Sequence, residues 1–399
     1  YKSITITDYL VSKLKPKTNH LRYLSSLFLT FFIIIYVSAQ IDATGSAFEA
    51  FMDWNYFTGA VLGYFIVLAY VVFGGFIAVA WSDLIQGSLM FLALVILPVI
   101  GYYSFNGEFQ ILEGLNKIDR GLISPWGSGG FNLINLSTIV GYICIGLAFL
   151  GSPQIFVRFM SIKNEQEINK GRWVAVLFTF ITDSCAVLIG MMARYFFTEN
   201  GVEVESILGN NGQNSLIMMV ENLLPLLFIG FYMAVVLAAI MSTVDSLLVL
   251  ASSAFARDIY QNIYNPKVEI NKLTFISKVT TLIMASLALV VAITVANLTP
   301  ERTIFWFVLV GFHGIAASFC PTIILSLFWK GLSETGAIAS MIVGFLGVLI
   351  FKFIIPNIEP YGIYFNNIAE LAPALLLGLF TGYVFSILYP NTDLKKDLD

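Results

Sequence analysis

Residues 236–253 read VLAAIMSTVDSLLVLASS, an apolar stretch long enough to cross a lipid bilayer and interrupted by a single carboxylate. The hydrocarbon core of a bilayer is roughly 30 Å thick and needs about 20 apolar residues in an α-helix. Hydroxyl side chains accompany the carboxylate of Asp245. The stretch therefore predicts a membrane-spanning helix with a polar stripe.

About ten stretches of this length follow one another along the 399-residue chain, which is 58% hydrophobic and 12% charged. An average soluble domain carries roughly 25% charged residues. We predict an all-α polytopic membrane protein with an N-terminal segment at 1–20, a transmembrane domain at 21–389 and a tail at 390–399. The predicted spans are 21–48, 56–79, 84–105, 133–159, 174–197, 224–259, 273–298, 303–329, 336–355 and 368–388.

The basic residues predict the orientation of these spans. Lys and Arg accumulate on the cytoplasmic side of membrane proteins. With the N-terminus inside, 16 of the 21 Lys and Arg residues lie inside, and the five outside are Lys117, Arg120, Arg194, Arg302 and Lys352. An even number of spans then predicts that both termini are cytoplasmic, in the inner (plasma) membrane. The long connections 106–132 and 198–221 are expected to cap the outer face.

The remaining composition excludes several classes of protein. A formal net charge of −4 leaves no basic patch for nucleic acid. Cys144, Cys185 and Cys320 lie in apolar stretches, far from His20 and His313, so neither a disulfide framework nor a zinc site is readable. A membrane-embedded enzyme would need a nucleophile close to a base, and a sensor would need an attached signalling domain. The sequence indicates neither. Neither an organic cofactor nor an obligatory protein partner is indicated.

Four carboxylates lie in or beside the predicted spans: Asp42, Asp83, Asp183 and Asp245. Ionisable groups in a bilayer are costly and indicate function. Basic residues at the same depth are scarce, since Arg194 lies near the outer end of its span, so a bound cation or protonation is expected. For Asp183, a buried structural carboxylate bonded to hydroxyls remains an equal alternative.

Asp83 and Asp245 are both predicted in the inner half of the membrane, where one cation could touch both. Asp83 also has a structural alternative, because Asp83 and Gln86 form a pattern typical of a helix start. His313 is interpreted as a packing residue with a hydrogen-bond partner rather than as a proton relay.

Ala239, Ser242, Thr243 and Ser246 stand at i, i+3, i+4 and i+7 and so share one helical face, which Asp245 flanks. Oxygen ligands of this kind suit a hard monovalent cation such as Na⁺. The alternative is helix packing, in which the hydroxyls bond back to carbonyls of their own helix. The carboxylate favours the ion site, because packing does not require it.

The fourth span is predicted to break at GLAFLGSPQIF, where Gly151, Ser152 and Pro153 interrupt the helix. Broken helices at membrane depth expose backbone groups that bind substrate or ions in secondary transporters. A simple proline kink is the alternative. Phe149, just before the break, could cover a small solute, and Gln40 gives the first span a polar stripe.

Five segments in this order resemble the sodium:solute symporter family: TITDYL, GGFIAVAWSDLIQGSLM, GSPQIFVRFM, AAIMSTVDSLLVLASSAFARDIY and FCPTIILSLFWKGLSETGAIASMIVGF. The resemblance implies the leucine-transporter fold, a five-plus-five inverted repeat within thirteen helices. Three leading helices would then be absent. This agrees with a chain that begins at Tyr1 without a signal peptide and is expected to start partway through a longer protein.

The resemblance also implies roles for individual residues. Ala239, Ser242 and Thr243 match a sodium site whose other oxygens come from the backbone of an absent helix. Asp83 matches an acid important for sodium coupling, and with Ser242, Asp245 and Ser246 it resembles a second sodium site of some members. Asp245 replaces a small polar residue there.

Tyr36 matches an aromatic residue that lines the solute cavity. Ile145 and Phe149 stand where proline-transporting members have a tryptophan and a gating tyrosine, which weakens a proline assignment. The candidate solute residues are therefore Tyr36, Gln40, Ile145, Phe149 and Gly151. The resemblance implies sodium-coupled symport of a small organic solute by alternating access, and an amino acid such as proline is the first candidate for that solute. Proton coupling and other solutes (a sugar, sialic acid, pantothenate or another carboxylate) remain open.

Overall fold

The computed structural model describes residues 3–104, 110–198 and 204–391, so most of the predicted tail 390–399 lies outside the described residues. Short 3₁₀ turns and one π-helix, Ala254–Tyr264, join the α-helices. The α-helices of the described residues are α1 (Ile6–Leu14), α2 (His20–Met52), α3 (Tyr56–Ser104), α4 (Ile111–Ile118), α5 (Leu133–Ala148), α6 (Pro153–Met160), α7 (Glu165–Thr198), α8 (Val204–Leu208), α9 (Ser215–Leu223), α10 (Leu226–Ser253), α11 (Ile270–Leu298), α12 (Ile304–Phe328), α13 (Glu334–Phe353), α14 (Gly362–Ile368) and α15 (Leu371–Leu388).

Nine helices of the described ranges are long and apolar enough to cross a membrane, against ten predicted spans. The difference lies in α3. Its second half, Ile77–Ser104, qualifies by itself, whereas its first half contributes a shorter apolar helix, Tyr56–Ala69. Ten apolar segments are therefore present, and one of them is shorter than the sequence predicted.

α3 changes direction at Gly75, whose φ of 64° and ψ of −175° are accessible to glycine and not to residues with a side chain. The break predicted from the sequence, between Val79 and Leu84 at the polar residues, is therefore wrong. The helix resumes at Ile77 and continues through Asp83. Asp83 is therefore an interior helix residue, and the interpretation of Asp83 as a helix start is also wrong.

α2 and α12 form the centre of the bundle, and α3, α10, α11 and α13 pack around α2. Large apolar side chains such as Phe32, Ile315 and Phe319 are completely buried there. α12 approaches α2 closely at Gly311, where an added Cβ would lie 2.7 Å from the backbone nitrogen of Tyr36. The lack of a side chain at Gly311 therefore sets the spacing of the two central helices.

A second apolar cluster joins α7 and the second half of α3 to the two long connections. Ile111 and Leu115 of α4 and Met219 of α9 are buried in this cluster against Leu97 and Met192. Burial of these side chains ties both connections onto the helices. The described parts of both connections therefore lie at one end of the bundle, and Glu199 and Glu203 of the second connection lie outside the described residues.

At the opposite end, α1 is anchored by a charged network. Asp8 accepts hydrogen bonds from Arg22 at 2.9 Å and from Arg257 at 2.8 Å. Burial opposes ionisation of Asp8, but the two guanidinium groups outweigh it and hold the pKa of the Asp8 carboxyl below its usual range. Asn391 donates to the carbonyl of Leu14 at 3.0 Å, so the two ends of the described chain lie on the same side.

Candidate functional site

The second half of α3 meets α10 through two pairs of polar residues. The Asp83 Oδ2 atom lies 3.4 Å from the hydroxyl of Ser246, and the hydroxyl of Ser82 lies 3.5 Å from the Asp245 Oδ2 atom. Asp245 is completely buried. The structure thus brings Asp83, Asp245 and Ser246 together, as the sequence analysis predicted.

Arg158 of α6 joins this cluster. Its guanidinium lies 2.6 Å from Asp83 Oδ2 and 2.7 Å from the hydroxyl of Ser246. The prediction that the embedded acids lack basic partners is therefore wrong for Asp83. In the sequence, Arg158 is recognisable only as one of the charges predicted on the inner side. The available signal was its position two helical turns after Gly151, on the helix that follows the break.

One oxygen of the cluster remains without a partner. Asp83 Oδ1 is buried and makes no hydrogen bond with the described residues. Buried carboxylate oxygens are normally paired, because an unpaired one loses its hydration without compensation. An orphaned carboxylate oxygen is a suitable ligand for a cation.

The polar stripe of α10 is present on one continuous helix. Ser242 and Thr243 both donate to the carbonyl of Ala239, at 2.9 and 3.3 Å. These are the bonds that the packing alternative predicts. A hydroxyl that donates one hydrogen bond keeps lone pairs that can accept a cation, so the same geometry also suits an ion ligand.

The predicted break after α5 is confirmed. α5 ends at Ala148, a 3₁₀ turn follows, and α6 begins at Pro153. Gly151 packs directly on the backbone of Cys320 in α12, where a side chain would clash. The buried hydroxyl of Ser152 and the Oε1 atom of Gln154 have no hydrogen-bond partner among the described residues. The break therefore leaves polar atoms available to a ligand.

Two of the predicted solute residues pack against neighbouring positions of α12. Tyr36 of α2 packs on Gly311, and the ring of Phe149 lies 4.9 Å from that of Phe312. Gln40, one helical turn from Tyr36, is buried. Residues from α2 and from the broken helix thus converge on adjacent positions of α12.

Ile145 lies apart from that group. It borders a cavity of about 430 Å³ with Lys352 and Glu370. Beside this cavity, His313 Nδ1 lies 2.8 Å from Glu370 Oε1. The predicted hydrogen-bond partner of His313 is therefore present, and it is a carboxylate, Glu370, that no sequence pattern indicated.

The other two embedded acids differ from their predictions. Asp42 is buried and holds Arg302, whose Nε lies 3.1 Å from both carboxylate oxygens, and Tyr56 donates to it at 2.5 Å. Asp42 is therefore paired rather than lacking a cation. Asp183 is exposed on α7 instead of buried, because its helix turns that face away from the neighbouring helices.

A cavity of about 600 Å³ lies directly against the cluster. Asp83, Arg158 and Ser246 border it, together with Gln154 from the broken helix and Ser3 from the N-terminal segment. Asp83 of α3 and Ser246 of α10 therefore face a space large enough for water and ions, at the end of the bundle that carries α1.

The model of the sodium:solute symporter family matches residues 1–344 of this sequence. The chain belongs to the sodium:solute symporter family. It is 31% identical over 351 residues to the high-affinity proline transporter PutP of Bacillus subtilis (strain 168), covering 87% of this chain and 70% of that protein. It is 30% identical over 387 residues to the osmoregulated proline transporter OpuE of the same strain, covering 97% and 74%.

Further similarities concern a staphylococcal relative and a solved structure. Sodium/proline symporter 2 of Staphylococcus saprophyticus is 31% identical over 409 residues, covering all of this chain and 75% of that protein. A substrate-bound, outward-open Na⁺-coupled sialic acid symporter superposes with a TM-score of 0.71 at 19% identity, over 96% of this chain and 77% of that one. The predicted fold class, an all-α membrane protein of the leucine-transporter type, is confirmed.

Membership in this family establishes a multi-pass membrane protein of a solute symporter family. The cited relatives are named as transporters. Two of the sequence patterns that led to the family, the WSD segment of α3 and the MST segment of α10, are also the segments that meet at the cluster.

Proposed function

We propose that this protein is a sodium-coupled symporter of a small organic solute, with an amino acid such as proline as the first candidate. The observation that carries the proposal is the meeting of Asp83 with Ser246 beside the broken helix. Proline-transporting relatives at about 30% identity support an amino acid. Because a Na⁺-coupled sialic acid symporter has a similar fold, a larger carboxylate remains the alternative solute.

The proposed ion site consists of oxygen atoms from α3 and α10. The unpartnered Asp83 Oδ1 and the hydroxyls of Ser242, Thr243 and Ser246 provide neutral and charged oxygens, with further contributions from Ala239 and Asp245. A hard monovalent cation prefers such ligands. Na⁺ is here a transported co-substrate that these residues hold and release.

Arg158 suggests how ion binding is coupled to movement. Its guanidinium holds Asp83 and Ser246 in this structure. Na⁺ bound at the other oxygen of Asp83 and at Ser246 would repel the guanidinium and loosen α6 from α3 and α10. Arg158 and Na⁺ then stabilise different positions of the broken helix, and such differential binding is what coupling requires.

The proposed solute site lies along α12, between α2 and the broken helix. Tyr36, Gln40 and Phe149 supply aromatic and amide groups, while Gly151 keeps the turn close to α12. Ile145 would act from the neighbouring cavity that it borders. Apolar and aromatic surface with a few polar atoms suits a small amino acid.

The location of the protein is also part of the proposal. The end of the bundle that carries α1 also gathers Lys13, Arg22 and Arg257. Basic residues favour the cytoplasmic side, which supports cytoplasmic termini in the plasma membrane. We propose a transporter without enzymatic activity or organic cofactor, whose partners are its solute and the lipid bilayer.

Uptake by the full-length protein in proteoliposomes tests this function. One Na⁺ that crosses a potential of 100 mV releases about 2.3 kcal/mol, enough for roughly 50-fold accumulation of solute. Labelled proline is therefore expected to accumulate inside the proteoliposomes when Na⁺ is outside. When K⁺ replaces Na⁺ at the same pH, proline should reach equal concentrations on both sides without accumulating.

The same assay separates the alternatives. Sialic acid, a sugar and pantothenate are tested as competitors of proline and as labelled solutes. Accumulation that is driven by a pH gradient and is independent of Na⁺ would establish proton coupling and overturn the sodium proposal. Accumulation of none of these solutes under either gradient would overturn symport of this solute class.

A further inference from the structure

A second polar cavity, distinct from the candidate site, lies where α3, α10 and α11 meet. Its volume is about 430 Å³. The break of α3 at Gly75 forms one wall, and the end of α10 with the adjoining π-helix forms another. The beginning of α11 closes the third side. The cavity lies at the end of the bundle that carries α1, because Arg257 both borders it and binds Asp8.

Two basic side chains border this cavity, Arg257 and Lys278. Arg257 uses only its Nε atom to bind Asp8, at 2.8 Å, and its two terminal nitrogens make no hydrogen bond with the described residues. Asp8 is shared with Arg22, which also lies 3.2 Å from Asp258. The bond to Asp8 therefore leaves part of the Arg257 guanidinium able to donate to a ligand in the cavity.

Hydroxyl groups and open space complete the lining. Ser277 donates to the hydroxyl of Ser252 at 3.2 Å, and both residues border the cavity with Ser253 and Thr274. Apart from neighbouring residues of α3 itself, no described atom lies within 4 Å of the position that a Cβ on Gly75 would take. Guanidinium, ammonium and hydroxyl donors around an open space suit an anion with several oxygens, such as a phosphate group.

An apolar surface continues from the cavity along α11. Phe275, Val279 and Leu282 stand at i, i+4 and i+7 and are 66%, 38% and 47% exposed. α11 is long and apolar enough to cross the membrane, so this exposed face suits acyl chains. A headgroup cavity next to an apolar track favours an amphiphile over a free phosphate ion.

We propose that this cavity binds the phosphate headgroup of an anionic phospholipid, with Arg257 and Lys278 as its cationic ligands and the acyl chains along α11. Basic pockets between membrane helices on the cytoplasmic side are suited to anionic headgroups. The bound lipid would link α11 to α1 through Arg257 and Asp8. The site does not depend on the identity of the transported solute.

Lipid titration of the purified protein tests this site. The protein is placed in nanodiscs of dioleoyl phosphatidylcholine that contain increasing fractions of dioleoyl phosphatidylglycerol, and its Tm is measured. The anionic lipid is expected to raise the Tm. In Lys278→Gln, the lipid fraction for the half-maximal shift should rise about fivefold, since one basic residue near the surface contributes roughly that factor.

Lys272→Gln is the matched control, because Lys272 is an exposed lysine of the same helix that does not border the cavity. Its response should equal that of the unmodified protein. Lys278→Arg keeps the charge and should restore the response lost in Lys278→Gln. A Tm in phosphatidylcholine alone that equals that of the unmodified protein shows that Lys278→Gln folds.

Three results would overturn the proposal. If the Tm of the unmodified protein does not change with the fraction of phosphatidylglycerol, the proposed site does not exist. If Lys278→Gln and Lys272→Gln lose the Tm response to phosphatidylglycerol equally, the response depends on the general surface charge and not on binding in this cavity. Inorganic phosphate that reproduces the full Tm shift in phosphatidylcholine nanodiscs would identify a phosphate ion, not a lipid, as the occupant. Each readout is independent of uptake, so failure of the symport proposal leaves this test intact.

Discussion

Replacing Arg302 by glutamine is expected to destabilise the folded protein by about 3–5 kcal/mol, because it leaves a buried carboxylate without its cation. Asp42 is 1% exposed, and Arg302 binds both of its oxygens. The remaining hydrogen bond from Tyr56 cannot compensate for the lost charge. The free energy of unfolding in mixed detergent micelles measures the effect.

The double variant Asp42→Asn with Arg302→Gln is the control for this prediction. Removing both charges leaves polar groups that can still bond to one another, so the double variant should be more stable than Arg302→Gln alone. Losses that simply add in the double variant would mean that Asp42 and Arg302 do not interact in the folded protein.

Asp83→Asn is expected to raise the Na⁺ concentration for half-maximal uptake by roughly 10- to 100-fold, since interactions with a charged group contribute about 1.5–3 kcal/mol. The substitution keeps the shape of the side chain and removes its charge. It also frees Arg158, which binds Asp83 at 2.6 Å. Initial rates of uptake in proteoliposomes over a series of Na⁺ concentrations measure the effect.

Two variants accompany this measurement. Asp119→Asn removes the same charge from an exposed position in the connection between α4 and α5 and should leave the Na⁺ dependence unchanged. Arg158→Gln removes the cation that competes for Asp83, so it should not weaken Na⁺ binding. An unchanged Na⁺ dependence in Asp83→Asn would remove Asp83 from the ion site.

The helices, the polar stripe of α10 and the break at Gly151 could be predicted from sequence because each depends on neighbouring residues. A stretch of high hydropathy is enough to predict a membrane-spanning helix, and helical periodicity is enough to place Ser242 and Ser246 on one face. A Gly-Ser-Pro run interrupts a helix whatever the surrounding helices are. The break of α3 was misplaced because hydropathy falls at the polar residues near Asp83, whereas the backbone turns at Gly75.

The charge pairs could not be predicted in this way. Arg158 and Asp83 are 75 residues apart, and Arg302 and Asp42 are 260 residues apart. Such pairs depend on how helices pack, and no local pattern reports it. The same limit explains Asp183, since periodicity shows that a helix has faces but not which face meets a neighbour.

Equilibrium binding of radioactive sodium to the purified protein tests the central claim, that the hydroxyls of α10 hold the coupling ion. Ser242→Ala combined with Thr243→Ala should weaken binding at least about tenfold. Thr294→Ala, which removes a similar hydroxyl bond within α11, should bind sodium as tightly as the unmodified protein. Equal affinity in all three proteins would contradict the assignment of the ion site to Ser242 and Thr243.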